Sequence, residues 1–178
     1  MRKVIIFGLL LGSCSKNEFY GMVLKKPYEL NQNFYFLNED SSSVNLKNLL
    51  KNYNLIYFGY TNCPDVCYTA LRDISESLKY IKNKNVNVIF ISLDLKRDKP
   101  SVIKRYLKNF NGNFIGLVPI DENELYKVSK FFSIGYEYYD NGYIGHSSFI
   151  ILMKNYKVVE IFPIGIEPKY IADDIKKW

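Results

Sequence analysis

The chain has 178 residues, 48% of them hydrophobic and 24% charged, with a formal net charge of +6. That length suits one domain with its own core, and the composition excludes a disordered or fibrous protein. Basic residues are interspersed with acidic ones, as in Lys96-Arg97-Asp98-Lys99, so no basic stripe marks a nucleic-acid partner.

Met1-Arg2-Lys3 is a basic start, and Val4 to Leu11 is an apolar or glycine run. The run is far below the roughly 20 residues that span a bilayer and suits the core of an export signal. It closes on Leu11-Gly12-Ser13-Cys14, which resembles the bacterial lipobox. That resemblance implies a signal peptide over residues 1–13 and a lipidated Cys14. It also implies an extracytoplasmic chain held to the cell membrane by its acyl chains, on the periplasmic side where there are two membranes. Arg2 and Lys3 would leave with the signal, which trims the positive excess by two. Residues 14–26 then read as lipidated terminus and polar tether, and residues 27–178 as the folded domain.

Asn33–Leu37 and Ser43–Leu46 flank the Asp40–Ser43 turn and predict a short hairpin, with a helical turn over Leu46–Leu50. Leu55–Tyr60 is an apolar and aromatic run, expected as a buried strand. Pro64 can open a helix, and Val66, Ala70, Leu71, Ile74, Leu78 and Ile81 follow helical spacing. Val86–Leu93 predicts a second buried strand, Pro100 another helix through Phe110, and Phe114–Val118 a third strand. Asp121 with Glu124 forms a capping-box start for a helix to Phe132. Ser147–Met153 and Lys157–Phe162 predict a closing hairpin, and Pro168 a final helix toward Trp178. Strands alternating with helices imply an α/β protein with a parallel core. The order suits a thioredoxin-like domain with an N-terminal hairpin and insertions; a flavodoxin-like sheet competes.

Cys63 and Cys67, in Thr61-Asn-Cys-Pro-Asp-Val-Cys67, follow the first long strand at a helix start. A spacing of four would put both sulfurs on one helical face, and a helix N-terminus favours the thiolate. The pair can close a disulfide or present two thiolates to a soft metal. The five-residue loop makes a purely structural disulfide worth only about 2 kcal/mol before strain. The spacing is one residue longer than the C-x-x-C of thioredoxin-type oxidoreductases, and no C-x-x-C-H haem motif occurs. With three cysteines, one of them read as acylated, and one histidine, four zinc ligands are not available. Two thiolates and one imidazole fit Cu(I) better.

That histidine, His146, lies in Gly142-Tyr-Ile-Gly-His146, which reads as a flexible loop before a strand. In a thioredoxin-like sheet this loop lies beside the start of the first long helix. The reading of a solvent-exposed loop histidine stands against the reading of a third ligand.

Phe58-Gly-Tyr-Thr-Asn-Cys-Pro-Asp-Val-Cys67 resembles the signature of the Sco/SenC family of copper-binding assembly proteins. Phe90–Asp98 followed by Pro100, Phe114-Ile-Gly116 and His146-Ser147 resemble its later blocks, in the same order. The resemblance implies a thioredoxin-like fold and one copper ion, Cu(I) and also Cu(II), held by Cys63, Cys67 and His146. It implies a chaperone assisting the dinuclear copper centre of cytochrome c oxidase, with the copper-bearing subunit as partner. A copper donor protein or a thiol reductant would be a further partner. It marks Asp94 as a site-adjacent residue. Arg97 and Asp98 match as well, and either a loop-stabilising ion pair or a contact with a partner would account for them. Three positions depart from the family: Leu95 and Tyr68 stand where proline is usual, and Gly145 where aspartate is common. The last removes an acceptor that could orient the imidazole.

Two rivals share the residues. A thiol–disulfide reductase would use Cys63 and Cys67 as a redox pair and not need His146. A thiol peroxidase would need an arginine beside its cysteine, for which Arg72 is the nearest in sequence.

Overall fold

The computed structural model describes residues 18–82 and 85–178, so the expected signal peptide, the expected lipidation site Cys14 and the first part of the expected tether lie outside the described residues. The chain enters through β1 (Met22–Glu29), the hairpin β2 (Tyr35–Asn38) and β3 (Ser43–Asn45), and the single turn α1 (Leu46–Leu49). Next come β4 (Tyr53–Gly59), α2 (Val66–Leu78), β5 (Val86–Ser92), α3 (Pro100–Leu107), β6 (Phe114–Pro119) and α4 (Glu122–Phe131). A small hairpin, β7 (Tyr136–Tyr138) and β8 (Ile144–His146), precedes β9 (Phe149–Lys154), β10 (Lys157–Pro163) and α5 (Pro168–Lys177).

One sheet of eight strands runs in the order β1-β10-β9-β4-β5-β6-β2-β3. β4, β5 and β6 pair in parallel, with α2 and α3 as the crossovers between them. β5 is buried at every position and β4 at every position but its first, as expected for strands with both faces covered. Their apolar side chains form the core with Leu71 and Ile74 of α2, Ile103 of α3 and Ile171 and Ile175 of α5 on one side. On the other side Phe132, just past α4, packs against Phe58 at 5.5 Å between ring centroids. The closing hairpin turns at Asn155 and Tyr156, both with positive φ (47° and 66°), the sign a two-residue type I′ turn demands.

Three expectations are corrected. The tether stops short of residue 26, because β1 starts at Met22 and pairs with β10. Its mostly exposed sequence carries no regular apolar alternation, with only Leu24 and Tyr28 packed against the core, and Pro27 fits because the strand is at an edge. Just before it, the Asp174 carboxylate of α5 accepts from the N–H groups of Tyr20 (2.6 Å) and Gly21 (2.9 Å), which pins the chain to the domain. Second, α2 begins at Val66 with Asp65 as N-cap, so Pro64 and Cys63 precede the helix. Third, Ile144–His146, expected within a flexible loop from Gly142, form a strand paired with Tyr136–Tyr138. The capping box at α4 is half made: Asp121 accepts from the Glu124 N–H at 2.7 Å, while Glu124 accepts from the Tyr35 N–H.

Candidate metal centre

The two cysteines follow the C-terminal end of β4. Asp98 fixes the turn that follows it. Its carboxylate accepts from the Thr61 N–H at 3.1 Å, from the Thr61 hydroxyl, and from the Ser92 hydroxyl at 2.7 Å. Burial of this carboxyl raises its pKa, and the three donors hold it in place. The Cys63 N–H then donates to the Tyr60 carbonyl at 3.2 Å, closing the turn.

Cys63 is therefore in a turn and partly exposed, and Cys67 is in the first turn of α2 and fully buried. The helical-face rationale for their spacing does not hold, yet the turn brings the sulfurs together all the same. The two sulfurs and a ring nitrogen of His146 all lie within 4.8 Å of one another. Both thiols are free. Gly59 makes room for this: a Cβ there would meet Cys67 Sγ at 2.9 Å and Tyr57 Cε1 at 2.9 Å.

His146 ends β8, opposite Tyr136. Its Nδ1 is 3.0 Å from the Ser147 carbonyl oxygen, which can only accept, so Nδ1 carries the proton. Nε2 is left with its lone pair toward Cys67 Sγ at 3.6 Å. A backbone carbonyl thus orients the ring, with Gly145 supplying no side-chain acceptor. The edges of Tyr57 and Tyr60 pack on the imidazole at 6.4 and 6.1 Å. The Tyr57 hydroxyl is buried with no hydrogen-bond partner, and its pKa is raised by burial and then by charge on Cys67 and Cys63.

The two thiols divide their protons unequally. Cys63 is lowered to about 4, chiefly because Cys67 donates a hydrogen bond to it; burial opposes this, and the N–H groups of Asp65 and Cys67 add to it. Cys67 is pushed up by that same bond and by burial. The reduced pair is one thiolate on the accessible sulfur and one thiol behind it.

Asp94 lies beside the centre, not in it. Its carboxylate is paired with the Arg97 Nε and accepts from the Arg97 N–H at 3.1 Å. The expected Arg97–Asp98 pair is replaced by Arg97–Asp94, since Asp98 is taken up by Thr61 and Ser92. Arg72 is over half exposed and bonded to Asp73 at 2.8 Å, so its guanidinium serves α2 and not the sulfurs. Tyr57, Gly59, Tyr60 and Ser147 were not singled out in the sequence. Gly59 and Tyr60, directly before the cysteine turn, were the readable signal.

The family model described as SCO1/SenC matches residues 23–178. The chain belongs to the SCO1/SenC family. An SCO2-like protein of Rickettsia typhi is 32% identical, over 96% of this chain and 89% of that one. The Bradyrhizobium japonicum ScoI structure, which has copper bound, is 33% identical with a TM-score of 0.72, covering 83% of this chain and 98% of that one. BsSco is 27% identical with a TM-score of 0.69, covering 86% and 96%. It is described as a member of the Sco family of cytochrome c oxidase assembly proteins with a disulfide switch. The fold is thus the thioredoxin-like one of Sco structures, as expected, and the flavodoxin-like alternative falls away. The Cys-Cys-His group sits in a family in which solved members hold copper.

Proposed function

We propose that this protein is a membrane-anchored copper chaperone. It takes one copper ion as cargo on Cys63, Cys67 and His146 and assists assembly of the dinuclear copper centre of cytochrome c oxidase. The observation that carries the reading is the convergence of two sulfurs and one imidazole nitrogen within 4.8 Å. Two soft thiolates and one neutral imidazole suit Cu(I), which accepts low coordination. The Cys63 thiolate is ready at neutral pH, and Cys67 gives up its proton when the metal is loaded. Cys63, the exposed sulfur, is where a thiolate of the copper-bearing subunit would begin ligand exchange. Closing the thiolate–thiol pair Cys63 and Cys67 into a disulfide removes two electrons and one proton and abolishes both sulfur donors, so disulfide and copper exclude each other.

Anaerobic Cu(I) titration of the reduced protein tests this. The parent should retain about one copper per chain, as a single three-donor site requires. The Cys63→Ala, Cys67→Ala double variant should retain none, and equal retention contradicts the reading. The anchor rests on the Leu11–Cys14 motif. Palmitate labelling should be lost in Cys14→Ala, and unchanged membrane attachment of that variant contradicts it.

A second reading, a reductase of copper-site cysteines, is favoured by the lowered pKa of the partly exposed Cys63. There Cys63 attacks a partner disulfide and Cys67 resolves the mixed disulfide; the partner gains two electrons and this chain keeps a disulfide. His146→Ala separates the two readings, because it should weaken copper capture and leave reduction intact.

A further inference from the structure

His146 reaches the sulfurs from a piece of structure that the main sheet does not hold. β7 and β8 pair with each other in a two-stranded sheet of their own. At the base of this hairpin, Ser147 donates its N–H to the Gly135 carbonyl at 2.9 Å, and Ser147 Oγ accepts from the Gly135 N–H at 3.1 Å. Farther out, three contacts reach back to the domain. The Tyr138 hydroxyl donates to the Leu93 carbonyl at 2.8 Å, and the Ile144 N–H donates to the Tyr60 hydroxyl at 3.2 Å. The third is Arg97, whose Nη2 donates to the Gly142 carbonyl at 2.6 Å.

Arg97 ties these parts to one another. Its Nε pairs with the buried Asp94 carboxylate, which holds the fork at the end of β5. Its guanidinium carbon stands 5.6 Å from the centre of the Tyr60 ring, whose edge in turn packs on His146. Gly142 has φ +79°, and a Cβ on it would come within 3.0 Å of Arg97 Nη1, so the backbone there is shaped to the guanidinium. Packing does little at this point. Cavities of about 390 and 270 Å³ open here, and Arg97, Gly142 and Tyr143 line both. The turn between the strands is held by directed bonds, while Ile144 behind it is buried in the core.

We propose that Arg97 is a positioning residue for copper capture, latching the β7–β8 hairpin so that His146 Nε2 is presented to the cysteine pair. It touches no ligand atom. The planar fork reaches two acceptors from separate, fixed nitrogens, a geometry that lysine's compact ammonium does not reproduce. The proposal rests on the copper reading for its consequence, while the latch itself is tested without metal.

The test uses the protein in its reduced form, as parent, Arg97→Ala, Arg97→Lys, His146→Ala and the Arg97→Ala, His146→Ala double variant. In the metal-free protein, amide hydrogen exchange at Ile144 should accelerate in Arg97→Ala, with the β4 and β5 amides unchanged. Unchanged exchange at Ile144 overturns the latch whatever copper does. With Cu(I), X-ray absorption should show imidazole scattering in the parent and its loss in Arg97→Ala. Affinity should fall ~10–100-fold, the range for loss of a group that orients a ligand. Arg97→Lys should fall between the two. The double variant should bind no more weakly than His146→Ala, because the latch acts only through that ring. Full imidazole scattering in Arg97→Ala, or losses that add in the double variant, overturns the proposal. Equal copper binding by the parent and His146→Ala also overturns the positioning role, and it is told apart from a failed latch because Ile144 exchange still responds.

Discussion

Cys63 and Cys67 follow a strand hydrogen-bonded on both sides, to β5 and to β9, whereas His146 rides a hairpin bonded in strand pairing only to itself. The sulfur half of the centre inherits the rigidity of the core. The imidazole half has a separate hinge at Gly135–Ser147 and a set of polar contacts. This difference separates roles as well as structures. The two sulfur donors are tied to the core strands, and the imidazole donor to the hairpin and the buried Ile144 beside it.

The comparison breaks most visibly under Phe58→Ala. This ring is 1% exposed and packs on Phe132, so its loss should cost about 3–5 kcal/mol. Thermal unfolding should show it, and copper retention should fall with the folded fraction. Gly59→Ala comes next, at about 1–3 kcal/mol, because the new Cβ overlaps Cys67 Sγ and Tyr57. Here copper affinity should drop even in fully folded protein, since the sulfur itself must move. On the other half, Tyr60→Phe removes the acceptor for the Ile144 N–H, at about 1 kcal/mol of stability. Its copper affinity should fall by more than its stability does, the reverse of Phe58→Ala. Equal behaviour of the two variants would show that both halves share one cooperative unit.

The smallest effect sharpens the sulfur half by pH. Cys63 sits at about 4 against an ordinary 9.0, so its thiolate persists as pH falls from 8 to 6 and is lost only as pH passes through about 4. Alkylation of Cys63 should therefore be nearly flat from pH 8 to 6. Cys67, pushed up by burial and by the Cys63 bond, should resist across the same range. Mass spectrometry of partly alkylated protein checks the order, and equal labelling of the two contradicts it.

Much of this was legible in the chain because the signals were strong and local. The largely apolar runs Leu55–Tyr60 and Val86–Leu93 are what buried parallel strands require, and Pro100 and Pro168 sit at the first helical position. The ligand residues were legible because so few cysteines and histidines were available. What stayed hidden was set by tertiary context. β1 is an exposed edge strand whose pairing comes wholly from β10, so no periodicity marks it. The β7–β8 hairpin joins residues of mixed character around two glycines and looks like a loop until Arg97 and Tyr60 are seen to hold it. The partner of Arg97 was misassigned because adjacent acids look alike in sequence. Burial beside Thr61 and Ser92 claims Asp98, and Asp94 is left for the arginine.

The central claim is that three donors, two from the core and one from the hairpin, make one copper site. Anaerobic Cu(I) titration of the reduced protein against a competing chelator, parent beside His146→Ala, tests it most directly. The account predicts one tight site in the parent. In His146→Ala the site should retain both sulfurs and be weaker by more than the ~10–100-fold that loss of an orienting group costs. Equal affinity of the two proteins would contradict it.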